Sequence, residues 1–338
     1  MLLRIRHATT LTYSEPVSET VFEARMAPLS DDDQTTLGYR LQIEPPAPVT
    51  AYRDGFGNRV ELFNIGTPYQ ALSIEASSYV RTHRRPGEAR LRAAGWEPGR
   101  EIPVEAIDYL RPSPLIDQSP ALDDFVAGLP RVETSLADQV LALRDAVQDR
   151  LTYRKAVTDA STRVSQVLAL GCGVCQDFTH LFLAAARGIG LPARYVSGYI
   201  HEPGEVETHA WCQVWAGPVG WVDVDPTHGL FVGDDHVAIA VGRDYQDVTP
   251  NRGVWKGRAQ ETIRVKVAIE PVERVPYEMQ GWADPQGWSE PAAAFTTAQA
   301  PRGSATAFPY QRQGGPNGLG KRSAYRGQYR HQQGQQQQ

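Results

Sequence analysis

The sequence contains little cysteine and no long hydrophobic run, and each shortage excludes a class of protein. Only three cysteines occur in 338 residues, and this low, odd count does not fit the disulfide framework of a secreted domain. No apolar stretch approaches the ~18–20 residues that a membrane-spanning helix requires. The first seven residues carry charges where a signal peptide has its apolar segment. We therefore expect a cytoplasmic protein with no membrane partner.

Basic residues are scarce outside the C-terminal end. The formal net charge is −5, although the segment from Pro291 onward holds six basic residues and no acidic ones. The rest of the chain is therefore more acidic than the total, which argues against nucleic acid as a partner of the folded part. The segment 284–338 is poor in aliphatic residues and ends in glutamines. That composition predicts a disordered low-complexity tail.

Hydrophobic spacing divides the remaining chain into three parts. Residues 1–83 contain short runs of alternating apolar and polar side chains, such as 39–43, which predict an N-terminal antiparallel β-sandwich domain. Residues 84–133 form a connector with short helical candidates near 104–110 and 120–128. Residues 134–283 combine helical and strand patterns, so we assign them as one α+β catalytic domain.

The elements of the predicted catalytic domain have clear local signals. Ser135 is placed to cap a helix, and a second, strongly apolar helix begins near Cys175 and stops at Gly188 and Gly190. Three strand candidates follow, at 193–200, 208–216 and 220–225.

Cys175 is the first candidate for chemistry. It lies in Gly171-Cys172-Gly173-Val174-Cys175-Gln176-Asp177-Phe178, where a glycine-broken turn leads into the apolar helix. The unpaired N–H groups of a helix N-terminus favour a thiolate, and they can also hold an oxyanion during acyl transfer. The position predicts a nucleophilic thiol.

His209 and Asp225 can supply a base and a group that orients it. A hairpin centred on Gly217 would place His209 directly opposite Asp225, roughly 5 Å apart at Cβ. The same register pairs Trp211 with Asp223 and Gln213 with Trp221, all on one face. This face is polar and aromatic, as expected for the wall of a cleft, and Trp211 is our candidate cleft residue.

The predicted roles follow from these residue types. Cys175 attacks a carbonyl carbon, His209 keeps the thiol ionised and later protonates the leaving amine, and Asp225 fixes the imidazole tautomer. The backbone N–H of Cys175 is one expected oxyanion donor, and Tyr153 is the candidate for the second.

Other interpretations of these residues remain open. Cys172 and Cys175 form a C-x-x-C pair that could be a redox switch, but the chain offers no second pair for structural zinc. His180 lies about 140° around the helix from Cys175, so it does not compete as the base. His228 is a more credible rival for that role. We predict no metal and no cofactor.

Taken together, these motifs resemble the core of the transglutaminase-like superfamily. The resemblance is carried by residues 173–178 and 186–199, by His209-Ala210-Trp211, and by residues 220–227. The start of the chain, through Asp54-Gly55-Phe56-Gly57-Asn58, resembles the N-terminal β region of bacterial members.

The resemblance implies a papain-like fold with a Cys175, His209 and Asp225 triad and acyl transfer from an amide through a thioester. The substrate would be a peptide or protein. Hydrolysis is the preferred outcome, and cross-linking to an amine is the alternative, because the extra domains and calcium sites of animal cross-linking members are not visible. A non-catalytic interaction module on the same fold is a further alternative.

Overall fold

The structure, a computed structural model, describes residues 1–95, 102–132, 134–202 and 208–279. The tail predicted at 284–338 lies outside these ranges. The strands of the described part are β1 (Leu2–Ala24), β2 (Gln34–Glu44), β3 (Val49–Arg53), β4 (Arg59–Ile65), β5 (Tyr69–Thr82), β6 (Thr152–Tyr153), β7 (Cys172–Gly173), β8 (Ala193–Ile200), β9 (Thr208–Trp215), β10 (Trp221–Asp225), β11 (Leu230–Phe231), β12 (His236–Gly242), β13 (Asn251–Lys256) and β14 (Glu261–Pro271). Its α-helices are α1 (Gly87–Ala93), α2 (Val104–Ile107), α3 (Pro120–Ala127), α4 (Leu136–Arg150), α5 (Val164–Leu170), α6 (Cys175–Gly188) and α7 (Tyr245–Val248).

The long strand β1 organises the N-terminal sheet. Its first half pairs antiparallel with β5 and β14, and its second half pairs with β4 and β13. Side chains along β1 alternate between buried and more exposed positions, as expected for a strand with one face on a core. Leu11 and Phe22, from the two halves, share one hydrophobic core with Phe63 and Leu72. The predicted antiparallel β domain is thus a single curled sheet.

The C-terminal strands belong to this sheet, which corrects the predicted domain boundaries. Residues 251–271, which we had assigned to the catalytic domain at 134–283, form β13 and β14 and pair along β1. We predicted no strand in this segment, and local sequence carries no information about a partner some 250 residues away. The β domain is therefore built from both ends of the described chain.

The second half of the fold is a helix packed on a sheet. Helix α6 is buried along nearly all its length and packs on an antiparallel sheet in the order β11-β10-β9-β8-β12. Ser135 caps α4 as predicted, since its hydroxyl accepts a hydrogen bond from the Asp138 N–H at 3.1 Å. The α+β class is confirmed. No helix in the described ranges has the length and apolar character needed to cross a membrane.

Two side-chain amides connect the β domain to the edge strand β12. Gln34 donates to the carbonyl of Ala238 and accepts from its N–H, both at 2.8 Å. Asn58 does the same with Val241, again at 2.8 Å in each direction. Each amide therefore reproduces the hydrogen bonds of a neighbouring strand, and together they fix the β domain against the catalytic sheet.

Candidate functional site

Cys175 is held at the first turn of α6 by the side chain of Asp177. The Asp177 carboxylate accepts hydrogen bonds from the Val174 N–H at 2.8 Å and from the Thr158 hydroxyl at 2.6 Å. A Cβ at Gly173 would lie 2.6 Å from the Cβ of Asp177, so only glycine fits at this turn. Burial raises the pKa of Asp177 to about 6, against the lowering effect of the Thr158 hydrogen bond.

His209 and Asp225 meet on one face of the sheet. The His209 Nε2 donates to Asp225 Oδ2 at 2.7 Å, and both side chains are almost fully buried. The Nδ1 of the ring takes no part in this contact, and the nearby Cys175 contributes to the raised pKa of His209.

The register that we predicted for this hairpin is wrong by two residues. Trp215 pairs with Trp221 and Gln213 pairs with Asp223, so the hairpin is centred on Pro218 rather than Gly217. The connection includes a short 3-10 turn at Gly217–Val219, and the sequence does not show where the pairing resumes. Because the error is even, every side chain stays on its predicted face. His209 and Asp225 are therefore diagonal neighbours, not directly opposite.

The charges of this pair favour an imidazolium beside a carboxylate. Burial lowers the pKa of His209, but hydrogen bonds to Asp225 and Cys175 more than offset this effect and raise it to about 9. Burial raises the pKa of Asp225, but its hydrogen bonds from histidines hold the value well below the ordinary range. The site is thus arranged to support a protonated His209.

Trp211 packs against His209 rather than lining an open surface. Its fully buried ring stacks on His209 with a centroid separation of 6.1 Å. The indole N–H donates to Asp223 at 2.7 Å, and Asp223 in turn forms a buried ion pair with Arg84 at 3.0 Å. The predicted cleft residue therefore serves to hold the imidazole plane.

Tyr153 lies near the nucleophile turn. It pairs with Gly173 in the short parallel ladder of β6 and β7, two residues before Cys175. Its side chain is half exposed, and its ring is 6.3 Å from that of Phe178. Its role as an oxyanion donor remains a prediction.

Two histidines that we had not assigned to the site also contact Asp225. His228 Nδ1 lies 2.7 Å from Asp225 Oδ2, and His236 Nε2 lies 3.4 Å from the same oxygen. The other carboxylate oxygen accepts the N–H groups of Thr227 and His228 at 2.9 and 3.2 Å. The sequence weakly indicates that His228 belongs to the site, because this residue follows Asp225 by three positions. It contains no such indication for His236.

The cysteines and histidines do not require a metal. Ligand atoms of His209, Asp225 and His228 lie within 4.8 Å of one another, close enough for one ion to contact all three. Hydrogen bonds already join these atoms, and an ion there would occupy the nitrogen through which His209 contacts Asp225. Cys172, Cys175 and Cys212 are all free.

His180 is buried on α6 away from this cluster. Its Nε2 accepts a hydrogen bond from the Tyr245 N–H at 3.2 Å, and burial lowers its pKa to about 4. Its position is in line with its exclusion as the base.

A helix that begins with a cysteine, packed on an antiparallel sheet that carries a paired histidine and aspartate, defines a papain-like α+β architecture. Comparison with known proteins identifies the family. Residues 123–226 match the transglutaminase-like superfamily, and residues 3–81 match the bacterial transglutaminase-like N-terminal region. The chain belongs to the transglutaminase-like superfamily.

Relatives and solved structures agree with this assignment. An uncharacterized protein of Mycobacterium leprae is 30% identical over 281 residues, covering 79% of this chain and 98% of the relative. An uncharacterized protein of Mycobacterium tuberculosis is 31% identical over 296 residues, covering 80% and 93%. The crystal structure of a candidate cysteine protease from Cytophaga hutchinsonii matches with a TM-score of 0.65 and 25% identity, covering 82% of this chain and 93% of that one.

Proposed function

We propose that the protein is a cysteine hydrolase that cleaves amide bonds of peptides or proteins in the cytoplasm. The observation that carries the proposal is the 2.7 Å hydrogen bond between His209 and Asp225, formed beside a cysteine at the start of a buried helix. Nucleophile, base and orienting group are the three parts that acyl transfer through a thioester requires. The similarity to a candidate cysteine protease supports the same reaction class.

The reaction has two steps. In the first, the Cys175 thiolate attacks the amide carbon, the bond to nitrogen breaks, and the His209 imidazolium gives its proton to the leaving amine. In the second, neutral His209 removes a proton from water, the hydroxide attacks the thioester carbon, and the thiolate is restored. The oxyanion of each tetrahedral intermediate is held by the Cys175 N–H at the helix N-terminus, with Tyr153 as the proposed second donor.

The test is to trap the acyl-enzyme. The protein is incubated with a peptide library and quenched in acid, and Cys175 adducts are identified by mass spectrometry. We expect a thioester on Cys175 that is absent from Cys175→Ser. A Cys212→Ser variant is the matched control, because Cys212 is buried and donates to the Val224 carbonyl.

Adding a primary amine to the incubation at neutral pH, before the acid quench, separates hydrolysis from transamidation. Faster loss of the thioester with formation of a new amide would favour cross-linking over hydrolysis. A Cys175 that reacts with iodoacetamide no faster than Cys172 and Cys212 near neutral pH would refute the catalytic proposal and favour a non-catalytic module.

A further inference from the structure

Both ring nitrogens of His236 face carboxylate oxygens. Its Nδ1 lies 2.7 Å from Asp235 Oδ1, and its Nε2 lies 3.4 Å from Asp225 Oδ2. A carboxylate oxygen only accepts hydrogen bonds, so each ring nitrogen must carry a proton. A ring with two N–H groups is an imidazolium cation. His236 is fully buried, and an enclosed cation is tolerated where carboxylates pair with it on both sides.

His228 has the same arrangement nearer to solvent. Its Nδ1 is 2.7 Å from Asp225 Oδ2, and its Nε2 is 3.1 Å from Glu202 Oε1. Its ring centroid is 4.9 Å from that of His209. Both of its nitrogens therefore also face carboxylates, and a second cation lies beside the base.

The carboxylate of Asp225 is consequently shared among three histidines. We propose that His236 and His228 are positioning residues, held as imidazolium cations by paired carboxylates, which set the basicity of His209 through the Asp225 oxygen that they share with it. The inference rests on the proposed role of His209 as the base. Hydrogen bonds from all three rings lower the pKa of Asp225 despite its burial, so the carboxylate stays ionised.

The shared carboxylate of Asp225 matters because His209 must donate a proton to the leaving amine in the proposed reaction. A lone buried aspartate would stabilise the His209 imidazolium strongly, and a strongly stabilised imidazolium is a poor proton donor to the leaving amine. Each neighbouring cation repels the charge on His209 and draws on the same oxygen, which brings the pKa of His209 back toward the working pH. The hydrogen bond that His228 donates to Asp225 raises the pKa of His228. Burial lowers the pKa of His236, but the hydrogen bonds that it donates to Asp225 and Asp235 outweigh burial and raise it. Other titratable or charged groups of this region are Cys175 on α6, Asp223 on β10 and Arg84 before α1.

Nitrogen-15 NMR of the histidine side chains tests the charge directly. At pH 7 we expect doubly protonated ring signals from His236 and His228 in addition to those of His209, and the signals of the first two should disappear in His236→Gln and His228→Gln respectively. A neutral His236 or His228 at pH 7 would overturn the proposal, whatever the enzyme activity.

The pH profile of Cys175 alkylation by iodoacetate tests the effect on His209. This anionic reagent needs the thiolate and is attracted by the adjacent imidazolium, so its rate falls as His209 loses its proton. In the plot of alkylation rate against pH, we expect the alkaline limb, over which the rate falls, to move to higher pH by about one unit in His236→Gln and in His228→Gln, because removal of a neighbouring cation raises the pKa of His209. His83→Gln, the same change at an exposed histidine, should leave the limb in place.

A second variant guards against misfolding of the buried site. Asp235 is 41% exposed, and Asp235→Asn weakens the hold on the His236 proton without removing the ring, so its alkaline limb should also rise. If His236→Gln, His228→Gln and Asp235→Asn all lower the alkylation rate without moving the alkaline limb of its pH profile, these histidines have only a structural role and the inference is refuted. A wild-type Cys175 that iodoacetate does not modify would instead refute the proposed function, while the NMR result still decides the charges.

Discussion

Replacement of Gly198 by alanine tests whether the position of Trp211 controls the site. Gly198 lies opposite His209 in the ladder of β8 and β9. A Cβ at Gly198 would overlap the carbonyl oxygen of Val237 and lie 2.7 Å from Cζ3 of Trp211, where ordinary contacts are 3.4–4 Å. Relief requires either β12 or the indole to move by several tenths of an ångström or more, and both are buried.

The size of the effect follows from the cost of overpacking. Inserting one methyl group into a closed core typically costs about 1–3 kcal/mol, which corresponds to a decrease in Tm of roughly 2–6 °C for a protein of this size. Displacement of the indole also removes its stacking on His209, so the rate of Cys175 alkylation should fall more than the folded fraction does. Differential scanning calorimetry and the rate of Cys175 alkylation measure the two effects separately.

The control is Gly66→Ala, because nothing lies within 4 Å of a Cβ at that position. It should leave Tm and alkylation unchanged or raise Tm slightly through reduced chain entropy. If Gly198→Ala behaves like Gly66→Ala, the close approach of Trp211 and β12 does not constrain the site, and the account of Trp211 given above is wrong.

Three further changes have defined outcomes. Asp225→Asn removes one of the two groups that outweigh burial at His209, so the His209 pKa should fall from about 9. The alkaline limb of iodoacetate alkylation should move down by about one pH unit or more, and an unmoved limb would contradict the pairing. Asp177→Asn keeps an acceptor for the Val174 N–H but removes a carboxyl that ionises near pH 4 when unfolded and near pH 6 when folded. As the pH rises from 4 to 6, the free energy of unfolding of the wild type should therefore fall relative to that of the variant by up to about 3 kcal/mol, measured by urea unfolding. Parallel pH profiles of the two free energies would show that Asp177 has an ordinary pKa. Ser135→Ala should lower the free energy of unfolding by about 1 kcal/mol through loss of the α4 cap, whereas an unchanged urea midpoint would show that the cap contributes nothing.

Local patterns predicted the elements that carry the chemistry. The strands that bear His209 and Asp225 lie within one residue of their predicted ends, and α6 begins at Cys175. Helix caps and strand alternation are properties of neighbouring residues, so a sequence displays them. The face shared by His209 and Asp225 was also correct, because side-chain direction depends on the parity of the register and not on its exact value.

Contacts between distant segments could not be predicted in this way. His236 begins β12, which is separated from β10 by two strands in the sheet, and nothing in the residues around it shows that its ring reaches Asp225. The pairing of β14 with β1 has the same character, since strand alternation shows that a partner exists without identifying it. Sheet order and the packing of strand ends come from the whole fold.

The amides of Gln34 and Asn58 have a consequence for how the chain can be divided. The open side of β12 would otherwise present unpaired peptide groups, which invite edge-to-edge association between molecules. Two side chains from the region that matches the separate N-terminal family close that side at Ala238 and Val241. The N-terminal region thus covers part of the open edge of β12. We therefore expect an excised catalytic segment to expose the edge of β12 and to associate with other copies of itself through that edge.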